Sequence, residues 1–273
     1  MSTQKQRSIF ITGSSSGLGR ATAKLFASKD WKVIATMRSP DTEKELTQIP
    51  NVTLMALDVT NSEQIKSVAE KVISMGSLDV VFNNAGYGIA GPLEALTDEQ
   101  ILRVVETNML GAIRTTKAFV PFFREQKGGM FINTTSIGGL MTVPFNSMYH
   151  ATKWALEGWG ESMAFELKQM GIGLKLLEPG GMKTDFFTRS FDSAQHPAYG
   201  RLAERVMSVV TDPQAMASYS TPEQIAAVVY EAATDGKDQL RYVAGADAQA
   251  TYAARLQVGE EAFRKAIEQR FFG

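Results

Sequence analysis

Two side chains frame the chemistry this chain could perform. Tyr149 and Lys153 stand four apart in NSMYHATKWALEG, so in a helix they share one face, one turn apart. A free phenol titrates near ~10, too high for base work at neutral pH. A nearby ammonium favours phenolate, which makes the pair a candidate proton donor and acceptor. Of the seven tyrosines, only Tyr149 has a lysine at the fourth position after it. One such pair among seven tyrosines also arises by chance at ordinary lysine usage. The surrounding elements have to decide.

A second chemical stretch lies near the start. ITGSSSGLGRA follows an apolar run and opens a helical pattern, with glycines at Gly13, Gly17 and Gly19. A helix N-terminus after a strand offers free N–H groups and a positive dipole end to phosphate. Glycine removes the Cβ where a cofactor backbone must approach. The spacing departs from G-x-G-x-x-G, and Arg20 and Ala21 after Gly19 exclude a P-loop. Taken alone, a Gly/Ser-rich turn that binds nothing remains open. The next apolar run ends ATMRSP, where Thr36 and Met37 are neutral and Arg38 is basic. A carboxylate there would suit the ribose 2′-OH of NAD. An arginine suits a 2′-phosphate, and Ser15 adds a hydroxyl. NADP(H) is therefore expected, with NAD possible; a solvated arginine at a strand exit is the competing reading of Arg38.

The elements that position these residues alternate. Short apolar runs (RSIFITG, WKVIATMR, NVTLMALDV, SLDVVFNNAG, GGMFINTTS, IGLKLLEPG, LRYVAG) read as seven strands, with helical patterns between them. DEQILRVVETNMLGAIRTTKAFVPFFREQ reads as one long helical stretch, and the helix carrying Tyr149 closes at Gly171. Strand–helix alternation predicts an α/β fold: a doubly wound Rossmann fold with a seven-stranded, mostly parallel sheet and helices on both faces. No linker or repeat divides residues 1–273, so a single domain is expected.

Composition narrows the function. Lys+Arg 28 against Asp+Glu 29 leaves a net charge of -1, which argues against a nucleic-acid partner. There are no cysteines, and two histidines, His150 and His196, are too few for an ordinary histidine metal site. MSTQKQRSIFITG lacks the apolar core of a signal peptide. No run approaches the ~18 apolar residues of a membrane span. The expectation is a soluble, cytoplasmic protein without a metal.

Together the motifs resemble the short-chain dehydrogenase/reductase family, in its single-domain branch. They are TGSSSGLG (Thr12 to Gly19), LDV (Leu57 to Val59), NNAG (Asn83 to Gly86), Asn108 in ETNMLG, TTS ending at Ser136, YHATK (Tyr149 to Lys153) and EPGGMKT (Glu178 to Thr184). They run in order from Ile9 to about Asp185; coverage beyond is poor. The resemblance implies that Gly13, Ser15, Ser16, Gly17, Leu18 and Gly19 cradle the pyrophosphate and nearby ribose. Asp58 and Val59 would flank the adenine, and Asn84, Ala85 and Gly86 the middle of the cofactor. Pro179, Gly180, Met182 and Thr184 would hold the nicotinamide end. Tyr149 would be the acid/base, with Lys153 lowering its pKa and holding the nicotinamide ribose, Ser136 orienting the carbonyl and Asn108 holding a relay water.

The implied activity is hydride transfer between NADP(H) and an apolar ketone or aldehyde, or the matching alcohol. Between Asp185 and Ser220 come Phe186, Phe187, Phe191, Tyr199, Met207, Val209, Val210 and Tyr219, with Arg189, Arg201 and Arg205 among them. A substrate lid over about 185–220 is expected, with Phe145 adding to its wall. Anchoring of a long segment to the core is the plainer alternative. An epimerase or dehydratase on the same fold is less compatible with this length, and an NADP(H)-binding sensor or scaffold has no need of Ser136, Tyr149 and Lys153 together. A homo-oligomer, dimer or tetramer, is expected. His150 reads as facing solvent or a packing partner rather than as catalytic, Asn133 as part of the strand, Trp154 and Trp159 as core or subunit contacts, and Glu178 as a surface or interface carboxylate.

Overall fold

The computed structural model describes residues 6–184 and 191–273. The described strands are β1 (Ser8–Ile11), β2 (Lys32–Met37), β3 (Val52–Ala56), β4 (Val80–Asn83), β5 (Gly88–Ala90), β6 (Met130–Thr134), β7 (Gly173–Pro179), β8 (Phe191–Ser193) and β9 (Arg241–Ala244). Seven of them form one sheet in the order β3-β2-β1-β4-β6-β7-β9. Every neighbouring pair is parallel. Parallel neighbours need crossovers, and helices supply them. The described helices are α1 (Gly17–Ser28), α2 (Ser62–Ser74), α3 (Asp98–Val105), α4 (Gly111–Gln126), α5 (Ser147–Lys168), α6 (Gly200–Val210), α7 (Pro213–Ala217), α8 (Pro222–Thr234), α9 (Ala246–Val258) and α10 (Glu260–Phe272).

The strands are mostly apolar, as a sheet with helices on both faces requires, with Asn133 of β6 and Lys175 and Glu178 of β7 among the buried polar exceptions. Successive residues of β1 divide between two cores, as the two-residue period of a strand requires. Ile9 and Ile11 join Phe26, Trp31 and Val229 on the face of α1 and α8. Phe10 joins Phe119, Phe123, Phe131 and Leu167 on the face of α2, α4 and α5. Strand order reverses direction between β1 and β4, which opens a crevice beyond their C-terminal ends.

Local signals set the helix ends. Asn61 caps α2 by accepting from Glu63 and Gln64 N–H. Thr97 with Gln100, and Thr221 with Gln224, form capping boxes. Gly171 closes the Tyr149 helix as expected: its N–H reaches Lys168 O, and the Ile172 N–H reaches Leu167 O.

One expectation needs correcting: Glu178 is fully buried rather than a surface or interface carboxylate. The helical stretch from Asp98 to Gln126 carries a π-helical turn at Glu106–Leu110 between α3 and α4. Of the two settings expected for Trp154, its exposure excludes the core.

The described part of the segment expected to act as a lid begins at a second, two-stranded sheet. β5 pairs in parallel with β8, Gly88 opposite Phe191 and Ala90 opposite Ser193. Gln100 and Arg103 of α3 both reach the Asp192 carboxylate of β8. A short turn (Pro197–Tyr199), α6 and α7 follow. Asp185–Ser190, and with them Phe186, Phe187 and Arg189, lie outside the described residues. No helix among the described residues is long and apolar enough to cross a membrane.

Candidate active site

The glycine loop joins β1 to α1 at the crevice. Its backbone is tied to both neighbouring strands: Thr12 N–H donates to Phe82 O and Ser14 N–H to Thr36 O. The NNAG turn is sewn onto it. Thr12 Oγ1 accepts from Asn84 N–H at 2.9 Å and from Ala85 N–H at 3.1 Å, while Asn84 Nδ2 donates to the carbonyls of Thr12 and Gly13. Gly13 has φ +71°, and a Cβ there would lie 2.8 Å from Ala85 Cα, so only glycine suits the position. Ser16 precedes α1 without a side-chain cap, which leaves the first N–H groups of that helix available to an anion. The crevice thus fits a dinucleotide phosphate by its own chemistry. Leu18 is different: its side chain is in the core, so it can offer only backbone.

The other expected cofactor positions surround the same crevice. Arg38 is exposed at the end of β2. Asp58 follows β3 and accepts from the N–H and hydroxyl of Thr60, and the Val59 side chain is buried. Pro179 ends β7 and Gly180 follows. Met182 bridges to Ser220, and a Cβ on Gly17 would lie 3.8 Å from the Thr184 methyl, so Thr184 faces the glycine loop. Sequence reasoning missed Arg20. Its guanidinium donates to Ser15 O and pairs with Glu43 at 2.6 Å, tying the glycine loop to the segment after β2. Glu43 is buried and anchors that segment by accepting from the Glu45 and Leu46 N–H groups. No local motif announces this pairing across 23 residues.

Four residues meet at the strand ends. Ser136 follows β6 and begins a 3₁₀ turn, with its Oγ accepting the Gly138 N–H at 3.0 Å. Its own proton is therefore free to point elsewhere, and the Tyr149 phenol feels the Ser136 hydroxyl as a hydrogen-bond partner. Tyr149 and Lys153 lie on α5 as the four-residue spacing requires. The Lys153 ammonium donates to Thr134 O at 2.9 Å and sits 5.8 Å from the centre of the Tyr149 ring. Asn108 occupies the π-helical turn. Its Nδ2 donates to Tyr87 O at 2.8 Å and its Oδ1 accepts the Tyr87 N–H at 2.9 Å, so its amide pins the turn after NNAG. A Cβ on Gly86 would lie 3.2 Å from Asn108 Oδ1 and 3.8 Å from Lys153 Nζ.

Burial raises the Tyr149 phenol above its ordinary range, and the Ser136 hydrogen bond only partly offsets this. Burial pushes Lys153 itself down to about 8, opposed by the Glu157 carboxylate one turn further along α5. A short helical spacing brings two groups to one face, but it does not fix which atoms of those side chains meet.

The remaining residues surround this set. His150 is buried, with Nδ1 bonded to Gly138 O at 2.7 Å and Nε2 accepting the Val143 N–H at 3.0 Å. That arrangement uses both nitrogens of a neutral ring to hold the Ser136 turn, so of the two settings expected the structure gives packing and not solvent. Asn133 accepts from Asn83 Nδ2, joining β6 to β4. Phe145 has φ +61°, its carbonyl accepts the Gly91 N–H, and its ring meets the Tyr199 ring edge to face at 6.0 Å. Glu178 has no side-chain hydrogen-bond partner, and burial, with the Glu157 carboxylate nearby, pushes it up to about 9 against the weaker pull of Arg241 and of backbone N–H groups.

Comparison with known proteins places this geometry. The short chain dehydrogenase family profile matches residues 7–195. An uncharacterized oxidoreductase of Schizosaccharomyces pombe is 39% identical over 83% of this chain and 96% of its own length. Human 17-beta-hydroxysteroid dehydrogenase type 1 is 34% identical over 86% of this chain and 76% of its own. Among solved structures, a short-chain dehydrogenase from Streptomyces avermitilis superposes with a TM-score of 0.85 at 30% identity, covering 98% of this chain and 96% of that one. A structure of ElxO with NADP bound has a TM-score of 0.74 at 25% identity, covering 91% and 99%. The chain belongs to the short chain dehydrogenase family, and it is an oxidoreductase of that family.

Proposed function

We propose that this protein transfers a hydride between NADP(H) and an apolar ketone or aldehyde, or the matching alcohol. The observation that carries the reading is the placement of Ser136, directly after β6, with Tyr149 and Lys153, one turn apart on α5, at the strand ends beside a phosphate-fitting glycine loop. The nicotinamide supplies or accepts the hydride when bound. The chain does the rest. Tyr149 and Ser136 would each offer a hydroxyl to a carbonyl oxygen gathering negative charge and so stabilise it. A phenol kept protonated by burial is ready to donate, which favours carbonyl reduction near neutral pH. Lys153 places a cation under the Tyr149 ring and within reach of a ribose. Asn108 holds the Tyr87 backbone and so fixes the floor of the site.

NADP(H) is favoured by Arg38 at the end of β2, by the absence of a carboxylate there, and by the NADP held in ElxO. An apolar substrate is favoured by the Phe145–Tyr199 aromatic pair and by the resemblance to a steroid dehydrogenase. The segment from β8 to α7 would form the substrate wall of a single domain, and a dimer or tetramer in the cytoplasm remains the expected setting. The test is turnover on a panel of apolar ketones and aldehydes with NADPH and with NADH. Arg38→Asp should reduce the NADPH preference at least about tenfold, the scale of one lost charge-assisted contact. Tight NADPH binding with no turnover on any carbonyl would favour a sensor or scaffold instead.

A further inference from the structure

Asp247 belongs to none of the motifs above and lies past residue 195, where the family match ends. It is the second residue of α9, directly after β9. Its carboxylate Oδ2 accepts the Gly181 N–H at 2.7 Å. Backbone bonds complete the hold: Gly180 N–H to Ala244 O, Ser220 N–H to Gly181 O, and Lys183 N–H to Ser220 O. The segment Gly180–Thr184 is therefore clamped from the ends of β9 and α7, with Asp247 contributing a side chain where the other bonds are main-chain.

The fit is close. A Cβ on Gly180 would run into the Asp247 carboxylate, and one on Gly181 would run into the Tyr219 ring. The doubled glycine of EPGGMKT is the space that Asp247 and Tyr219 fill. Across the crevice, the Thr184 methyl lies against the Gly17 position of the glycine loop. The height at which Asp247 holds Gly181 thus sets the gap between Thr184 and that loop.

We propose that Asp247 is a positioning residue for the nicotinamide half of the dinucleotide site. This rests on reading Pro179, Gly180, Met182 and Thr184 as cofactor-holding residues. A hydrogen bond to a carboxylate is among the stronger kinds. Removing it leaves the part-buried Gly181 N–H without that acceptor and lets the segment relax away from the crevice. The adenosine end, held at the far side by the glycine loop and the end of β2, should not respond.

The test compares two ligands on wild type, Asp247→Ala and Asp247→Asn. One is NADPH; the other is 2′-phosphoadenosine diphosphate ribose, the same frame without nicotinamide. Dissociation constants are measured by calorimetry, with melting curves to show that each variant is folded. Asp247→Ala should weaken NADPH about tenfold and leave the nicotinamide-free ligand unchanged. Asp247→Asn keeps an oxygen acceptor and should fall between; it carries the test if the alanine variant does not fold. Unchanged NADPH affinity, or equal weakening of both ligands, overturns the inference while the cofactor reading stands. Wild type that binds neither ligand sinks the cofactor reading and this inference with it.

Discussion

Lys153 and Lys175 are both buried, and their surroundings differ. Lys175 on β7 has three acceptors: Ala232 O at 2.7 Å, the Asp235 carboxylate at 2.6 Å and the Tyr242 hydroxyl at 2.8 Å. Tyr242 in turn donates to Asp235 at 2.6 Å. Burial acts to raise the Asp235 carboxyl, but hydrogen bonds from Lys175, Tyr242 and the Lys237 N–H outweigh it and hold it at about 2. Lys153 has one backbone carbonyl and a carboxylate a helical turn away, and it is pushed down to about 8. A buried charge with every donor matched fixes structure. One left short of partners is poised to meet a ligand or exchange a proton.

Substitution of each lysine by methionine should separate these roles. Lys153→Met should lower turnover at least about a hundredfold, on the scale of acid–base assistance, while the melting temperature holds or rises. Lys175→Met removes the buried cation while Asp235 keeps the Tyr242 hydroxyl and the Lys237 N–H, and it should cost about 1–2 kcal/mol of stability, with turnover per folded molecule preserved. Urea titrations and initial rates on both variants check the pair. Loss of activity without loss of stability in the Lys175 variant would break the comparison.

The pH dependence of stability gives smaller effects with defined signs. The folded state releases the Lys153 proton near pH 8, whereas the unfolded chain keeps it to about its ordinary 10.5. Between those values the unfolded state binds more protons, so Lys153 makes stability rise with pH, and Lys153→Met should remove that slope. Glu178 acts in the opposite sense. Its folded carboxyl holds a proton up to about 9 against 4.5 when free, so its contribution falls as pH rises through that window. Glu178→Gln should flatten the decline between pH 5 and 9 in denaturant titrations. An unchanged slope would mean that Glu178 is charged and paired in solution.

The seven strands and their helices were legible because buried parallel strands are continuous apolar runs punctuated by glycine loops. Tyr149 and Lys153 could be placed on one helix face from their spacing alone, whereas Ser136 and Asn84, in turns directly after strands, were singled out only by the family resemblance. What escaped the sequence depends on distant pairing. β5 and β8 are three residues each and exist only because they find one another. The π-helical turn at Asn108 inserts a residue without any glycine or proline to mark it. Arg20 with Glu43, and Asp247 with Gly181, are contacts across 23 and 66 residues. The burial of Glu178 depends on the packing against β7 of α5, whose Glu157 acts on it, and no local pattern records that.

The central claim is that Tyr149 delivers the proton as hydride transfer occurs. Single-turnover reduction of an accepted carbonyl by bound NADPH, wild type beside Tyr149→Phe, tests it most directly. The account predicts NADPH bound equally well by both and a rate at least about a hundredfold lower in the variant. Equal rates from both proteins would contradict it.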